Sequence, residues 1–205
     1  WVHNGFLSID HEKMSKSLGN VLLVHNLVET IPGEVVRLAL LSAHYRQPLD
    51  WSDETVESAR RMLDRLYGAV RGIDVPEASR AAAEPLPAVV EALEDDLNTP
   101  KAMAEFFGLA KELNKATDPG EQQQLAATMY ATGDLLGLLR QDPEVWFAGA
   151  ADSELSAEAI NEMIGKRSAA RATRDFATAD ALRDELAAAG VQIEDGPAGT
   201  TWRRA

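Results

Sequence analysis

The chain has 205 residues, 45% of them hydrophobic, enough for a buried core in one domain or in two smaller ones. It has no cysteine, which excludes disulfides and thiolate metal sites, and no apolar run near the roughly 20 residues of a membrane span, so we expect a cytoplasmic protein with no membrane partner. The net charge of -13 argues against a nonspecific nucleic-acid binder, because such proteins usually carry a basic surplus.

The first fifty residues predict a strand, a polar loop and helices. Apolar and polar residues alternate from Gly5 to Asp10 and then give way to a polar stretch over residues 11–20. Helix-forming residues fill Gly33 to His44. Because the chain begins at Trp1 inside a strand-like run, we expect it to be part of a larger protein.

Residues 51–145 predict a helix bundle. Ser52 is a typical N-cap, and the next helix repeats apolar residues at spacings of three and four. The proline- and alanine-rich run from Gly72 to Pro87 predicts a linker. Further helices are expected over residues 87–96 and from a cap at Asn98-Thr99-Pro100. Residues 120–140 are expected to add one more helix or a kinked pair.

Residues 150–205 predict two helices and a small hairpin. After a break from Gln141 to Ser153, helices are expected over 156–172 and 176–189, followed by two short strands. Residues 160–205 contain seven basic and seven acidic residues, whereas the preceding residues carry 13 basic and 26 acidic ones. If RNA is bound, this balanced tail is the better place to look.

The sharpest motif is Lys13-Met14-Ser15-Lys16-Ser17, which directly follows the predicted strand. A solvated basic turn would explain two lysines and two serines, but a given five-residue string arises by chance in roughly one in ten thousand chains of this size. Two ammonium groups on a small hydroxyl-bearing loop can close over a triphosphate and offset the charge of departing pyrophosphate. We therefore interpret the loop as an ATP-phosphate site.

This string resembles the signature loop of the class I aminoacyl-tRNA synthetases, in which an amino acid carboxylate attacks the α-phosphate of ATP. The resemblance implies ATP with Mg²⁺ as substrate, catalytic roles for Lys16 first and Lys13 second, and ATP binding by the whole run from Lys13 to Ser17. Lysines in such a loop accelerate the reaction only where their contacts strengthen in the transition state.

Four further stretches narrow the resemblance to the bacterial cysteinyl-tRNA synthetases. They are Trp1 to Gly5, Ser42 to Arg46, Asp95 to Pro100 and Glu194 to Arg204. The resemblance covers essentially the entire chain and implies a mainly α fold. Its expected parts are the end of a Rossmann-type catalytic domain over residues 1–50, a helix bundle over 51–145 and an anticodon-binding domain over 150–205.

The expected activity is the ATP-dependent activation of cysteine and its transfer to cysteine tRNA. We expect the protein to be a monomer. The other ATP signature and the zinc ligands of the family are absent, and both would precede Trp1. We therefore expect this chain alone to form no adenylate, since a catalytic site that lacks half of its positioned residues accelerates the reaction little.

The tail also has residues suited to anticodon binding. Arginine and aromatic side chains stack on unpaired bases, and carboxylates accept hydrogen bonds from guanine or cytosine. With the resemblance, which implies a GCA anticodon, this suggests Arg171, Phe176, Asp180 and Asp195 as anticodon contacts. Each could instead be structural: Phe176 as a helix staple, and Asp180 as a partner of Arg183.

Two alternatives stay open at this stage. A related ligase that joins cysteine to an amino sugar would share the loop but would need no anticodon domain. A noncatalytic helical protein that binds RNA or a partner would use the lysine-serine loop as an ordinary turn.

Overall fold

The computed structural model describes residues 1–148, 155–196 and 199–204. The chain divides into one unit from Trp1 to Pro143 and a second from Glu144 to Ala205. The mainly helical fold expected from the sequence is confirmed, with a small sheet near the start and a hairpin near the end. Within the described residues, no helix is both long and apolar enough to cross a membrane.

The first unit begins with a three-stranded sheet in the order β2-β1-β3. Strand β1 (Leu7–Ile9) pairs antiparallel with β2 (Glu12–Lys13) and parallel with β3 (Leu49–Trp51), so the predicted strand is confirmed. Just before β1, Gly5 donates its N–H to a backbone carbonyl on the segment leading to β3. A Cβ at Gly5 would lie 2.1 Å from another carbonyl oxygen of that segment, so only glycine allows this approach.

Helices α1 (Val24–Thr30) and α2 (Gly33–Leu41) lie between β2 and β3 in the chain, and α3 (Asp53–Val70) follows β3. The Ser52 hydroxyl accepts the N–H of Thr55, which confirms the predicted cap. Four members of the predicted apolar stripe of α3 are buried, and Val56 is half-buried. Those four are Ala59, Leu63, Leu66 and Val70.

The predicted linker over Gly72 to Pro87 is wrong, because it contains helix α4 (Glu77–Ala82). Alanine is the best helix former, and Pro76 stands at the N-cap, where its missing N–H costs nothing. The guanidinium of Arg80 lies 3.6 Å from the ring centroid of Tyr130, so α4 packs on the bundle. This part of the chain belongs to the first unit.

Helices α5 (Pro87–Glu94), α6 (Thr99–Leu113) and α7 (Pro119–Leu136) complete the bundle. The predicted cap at Asn98 accepts the N–H of Lys101. The helical region expected over residues 120–140 is the single helix α7, which ends at Leu136; Gly137 follows with a φ of +70° and caps the helix in the left-handed conformation. The core of the unit is apolar and closely packed, with fully buried side chains that include Leu38, Leu63, Tyr67, Phe106, Leu113 and Met129.

The second unit contains helices α9 (Ala157–Ala172) and α10 (Phe176–Ala188), followed by a hairpin of β4 (Val191–Gly196) and β5 (Gly199–Arg204). These elements confirm the prediction of two helices and a hairpin. The expected break from Gln141 is wrong in part, because helix α8 (Pro143–Ala148) occupies it; residues 149–154 lie outside the described residues. The core consists of Ile160, Ile164, Leu186, Val191 and Trp202.

Candidate functional site

A tight turn and one carboxylate fix the hairpin that carries the lysine-serine loop. Asp10 and His11 have φ values of +48° and +69°, as a two-residue turn with the right-handed twist of the strands requires. The carboxylate of Asp50, on β3, accepts the Ser8 hydroxyl and the His11 N–H, the latter at 2.9 Å. These two donors, Ser8 first, hold the pKa of Asp50 below its usual range. The base of the loop is thus anchored to the neighbouring strand.

Asn20 closes the loop as a side-chain bridge. Its Oδ1 accepts the N–H of Ser15 at 2.8 Å, and its Nδ2 donates to the carbonyl of Lys13 at 3.3 Å. Within the loop, the Ser15 hydroxyl lies 3.2 Å from that of Ser17 and accepts the N–H of Leu18. The run is therefore a defined turn held by its own polar groups.

Both lysines of the loop are exposed, and neither has a carboxylate within 4.0 Å among the residues that the structure describes. The Lys13 ammonium lies 4.4 Å from the ring centroid of Phe6, which is itself 66% exposed. The backbone carbonyl of Lys16 accepts the N–H of Gly19, so Lys16 lies in a turn. Two cations without an internal counter-charge can serve an external anion such as a phosphate.

Two of the stretches that carry the sequence resemblance meet in the first unit. The carboxylate of Asp96 accepts the Tyr45 hydroxyl at 2.6 Å and a fork of two bonds from Arg46 at 2.7 and 3.0 Å. These donors, Arg46 first, lower the pKa of Asp96 to about 2. The Thr99 hydroxyl donates to the carbonyl of Ala43 at 3.1 Å. The segment after α2 is therefore fastened to the start of α6.

In the second unit, Asp195 lies at the centre of a charged cluster. Arg167 donates through both terminal nitrogens to its carboxylate, at 2.8 and 2.9 Å. Arg171 and the Thr200 hydroxyl donate to the same carboxylate. The Arg167 contact first, and then that of Thr200, holds the pKa of Asp195 far below its usual range. The structure thus brings together two of the predicted anticodon contacts, Arg171 and Asp195.

The other two predicted contacts lie on α10, which packs against α9. Phe176 is the first residue of α10, and its side chain is 62% exposed, so it does not act as a buried staple. Asp180 is also exposed and lies 3.4 Å from Arg183 in an i,i+3 ion pair. The hydrogen bonds to Asp195 are the main cause that raises the pKa of Arg167, and the negative charge of Asp180 adds to it. An aromatic face and a carboxylate are thus available to solvent on this helix.

A zinc ion, expected for the family, finds no fitting donor set here. The chain has no cysteine, and in the described ranges no three His, Asp or Glu side chains converge as metal ligands. No chemical step is therefore assigned to a metal held by this chain.

Three family models match successive parts of the chain. The model of tRNA synthetases class I (C) catalytic domain matches residues 1–61, the DALR domain matches 88–140, and the cysteinyl-tRNA ligase anticodon binding domain matches 152–203. Among curated relatives, the cysteine--tRNA ligase of Parvibaculum lavamentivorans is 58% identical over 99% of this chain and 44% of its own length. That of Rhodospirillum rubrum is 53% identical over 100% of this chain and 45% of its own length.

The chain belongs to the cysteinyl-tRNA synthetase family. It corresponds to the C-terminal part of these synthetases: the end of the class I catalytic domain, the DALR domain and the anticodon-binding domain. The chain spans less than half the length of the curated synthetases that it matches. The family recognition made from the loop and the ordered stretches is therefore confirmed.

Arg167 is a residue of the synthetase tail that sequence reasoning missed. A signal for it exists, because Ile160, Ile164, Arg167 and Arg171 follow one another at spacings of four, three and four. An apolar stripe that continues into arginine indicates a cation at the edge of the core. Asn20 and Asp50 of the loop region carry no comparable signal, since their partners come together only in the folded hairpin.

Proposed function

We propose that the whole protein to which this chain belongs activates cysteine with ATP and transfers it to cysteine tRNA. What supports the proposal is the occurrence, in one chain, of the lysine-serine loop and an anticodon-binding unit. A ligase that uses an amino sugar would need the first and not the second. Family membership implies the use of ATP, with Mg²⁺ as the expected companion of the phosphates.

In the proposed reaction, a carboxylate oxygen of cysteine attacks the α-phosphorus of ATP, and pyrophosphate leaves with the bonding electron pair. Lys16 and Lys13 offset the negative charge that gathers on the departing pyrophosphate. Both ammonium groups are exposed and have no carboxylate partner among the described residues, which supports this role because no ion pair there must be broken first. Met14, Ser15 and Ser17 complete the proposed ATP-binding run.

The adenylate-forming site is proposed to need more protein than this chain provides. In the described part, most of the large apolar side chains that remain exposed lie before Leu41, and Trp1, Phe6, Leu23 and Val24 are among them. A concentration of exposed apolar surface is typical of a region that packs against further protein. We place the remainder of the class I catalytic domain there, and we expect no pyrophosphate exchange from this chain alone.

The loop proposal is tested in a chimera that joins this chain to the preceding part of the Parvibaculum relative. Cysteine-dependent exchange of pyrophosphate into ATP is measured for the chimera, for its Lys16→Ala and Lys13→Ala variants and for the matched exposed lysine variant Lys101→Ala. Loss of one transition-state donor lowers rates by about 10²- to 10³-fold. We expect that loss for Lys16→Ala, a smaller one for Lys13→Ala and none for Lys101→Ala. Equal rates for all variants would contradict the role of the loop.

We further propose that Arg171, Phe176, Asp180 and Asp195 contact the anticodon of cysteine tRNA. An exposed aromatic face and exposed guanidinium groups support stacking on unpaired bases, and the carboxylates support hydrogen bonding to base edges. Gel-shift binding of cysteine tRNA to the full chain tests this. We expect Phe176→Ala to weaken binding through lost stacking, whereas Asp195→Ala should reduce the preference for the GCA anticodon over changed ones.

The remaining expectations are proposals of the same kind. We propose catalytic, bundle and anticodon-binding parts over residues 1–50, 51–145 and 150–205, a monomer, and a cytoplasmic location. Size-exclusion chromatography with light scattering checks the proposed monomer.

A further inference from the structure

The carboxylate of Asp195 is fully occupied by donors from its own unit. Its Oδ1 accepts Nη1 of Arg167 at 2.8 Å and the Thr200 hydroxyl at 2.7 Å. Its Oδ2 accepts Nη2 of Arg167 at 2.9 Å and Nη1 of Arg171. A carboxylate offers about four lone-pair positions, and these four bonds use them all. An RNA base can therefore bond to Asp195 only when one of the donors moves away.

The three donor residues differ in how easily they can leave. The Arg167 side chain is 9% exposed, so its departure would leave a desolvated cation without its partner. Thr200 lies directly opposite Asp195 in the hairpin register, which keeps its hydroxyl nearby. Arg171 is 50% exposed in the last turn of α9, so water can replace its contact at little cost. Arg171 is the exchangeable donor, and Arg167 is the fixed one.

We propose that Arg167 is a positioning residue for anticodon reading, which holds the Asp195 carboxylate in one orientation while Arg171 leaves Oδ2 to admit a base N–H. This inference rests on the proposed function, because it requires the tail to bind the anticodon. The two-pronged guanidinium of Arg167 fixes the rotation of the carboxylate, which a single ammonium cannot do. Arg167 does not contact the RNA, whereas the released Arg171 becomes free to bind it.

The test measures how well the full 205-residue chain distinguishes RNA stem-loops. The probes are a synthetic stem-loop with the GCA anticodon and matched stem-loops in which one anticodon base is changed. We expect Arg167→Lys, which keeps the charge but not the fork, to lower the affinity ratio between matched and changed loops by about tenfold. Lys166→Arg exchanges the neighbouring exposed cation of α9, which pairs with Glu162 and not with Asp195, and is the control, with the ratio expected to stay within about twofold.

A double-mutant cycle with Asp195→Asn separates positioning from general damage. If Arg167 acts through Asp195, then Arg167→Lys should have no further effect on the affinity ratio once residue 195 is asparagine. A purely structural role of Arg167 would instead lower the affinity for all stem-loops alike and leave the ratio unchanged. That result would overturn the inference.

The two proposals fail in different ways. A wild-type chain that binds matched and changed loops equally would overturn anticodon reading, and the positioning role with it. A wild-type chain that discriminates, together with an equally discriminating Arg167→Lys variant, would overturn the positioning role alone.

A measurement on the unaltered chain covers the case in which Arg167→Lys does not fold. NMR spectra of the guanidinium N–H groups are recorded before and after addition of the GCA stem-loop. We expect the Arg167 signals to keep their chemical shifts and slow solvent exchange, while those of Arg171 shift. Unchanged Arg171 signals in the bound state, or loss of the protection of Arg167, would overturn the inference.

Discussion

A buried carboxylate in the first unit allows a sharp test of what holds the bundle together. Glu34, in the first turn of α2, is 8% exposed. Its carboxylate accepts the Tyr67 hydroxyl at 2.9 Å and the backbone N–H groups of Leu139 and Arg140 at 3.0 Å each. One side chain therefore joins α2, α3 and the segment that follows α7.

Replacing Glu34 by glutamine is expected to destabilise the unit by about 2 kcal/mol, because the new amide NH₂ must face the backbone N–H of Leu139 or Arg140, where two donors then oppose each other. Replacement by alanine removes the acceptor of all three donors. Each unsatisfied group costs about 1–3 kcal/mol, and the total is reduced because no carboxylate is desolvated any longer. We therefore expect the free energy of unfolding to fall by about 4 kcal/mol. Tyr67→Phe removes one donor to Glu34 and also the acceptor of the Gln141 N–H, and should cost about 2 kcal/mol.

The measurement is the opening free energy from native-state hydrogen exchange of amides in α2 and α3, which reports on the first unit separately from the second. Glu54→Gln is the matched control, since Glu54 occupies the first turn of α3 but is exposed. Its loss should cost only about 0.3–1 kcal/mol through the helix dipole. If Glu34→Ala were no more destabilising than Glu54→Gln, the assignment of Glu34 as the link between these elements would be refuted.

Three other predictions concern the pH dependence and local packing. The pKa of Asp96 is lowered from 3.8 to about 2, so its stabilising contribution is complete above about pH 4 and is lost as pH falls through 2. Asp96→Asn should therefore make Tm depend less on pH between pH 4 and 2, as measured by thermal melting at a series of pH values. Gly133→Ala places a Cβ 2.7 Å from the carbonyl oxygen of Leu138 and should cost about 1–3 kcal/mol in urea unfolding; no loss would contradict this crowding. Ser156→Ala removes the acceptor of the Ala159 N–H and should cost about 1 kcal/mol, seen as faster exchange of amides in α9 but not in α3.

Local features of the fold could be predicted where one residue decides the outcome. The Ser52 cap, the end of the tail helices near Gly190 and the strand before the loop depend on groups that are neighbours in sequence. The error over Gly72 to Pro87 has a physical cause. Proline breaks helices in their interior, but Pro76 stands at the N-terminal end of α4, where it is tolerated.

The motif of the candidate site could be predicted from the sequence, whereas the residues that hold its side chains in place could not. The lysines of the loop could be found because the string itself is distinctive, whereas Asn20 and Asp50 act through partners five to 42 residues away in sequence. Asp195 could be found as an acceptor, yet its four internal bonds depend on a hairpin register that fixes Thr200 beside it and on a helix that presents Arg167. Composition cannot reveal that a carboxylate is already occupied.

The two sites handle positive charge in opposite ways, and the difference follows from their expected ligands. A triphosphate carries several charges and can be attracted by free ammonium groups, so the unpaired state of Lys13 and Lys16 suits it. A base edge is neutral, and an unpaired arginine beside it would attract any phosphate of any RNA. In the proposed mode of anticodon reading, the pairing of Arg167 and Arg171 with Asp195 would limit that nonspecific attraction until a base N–H competes for the carboxylate. Under this proposal, a chain with a net charge of -13 needs no broad basic surface to discriminate between RNA loops.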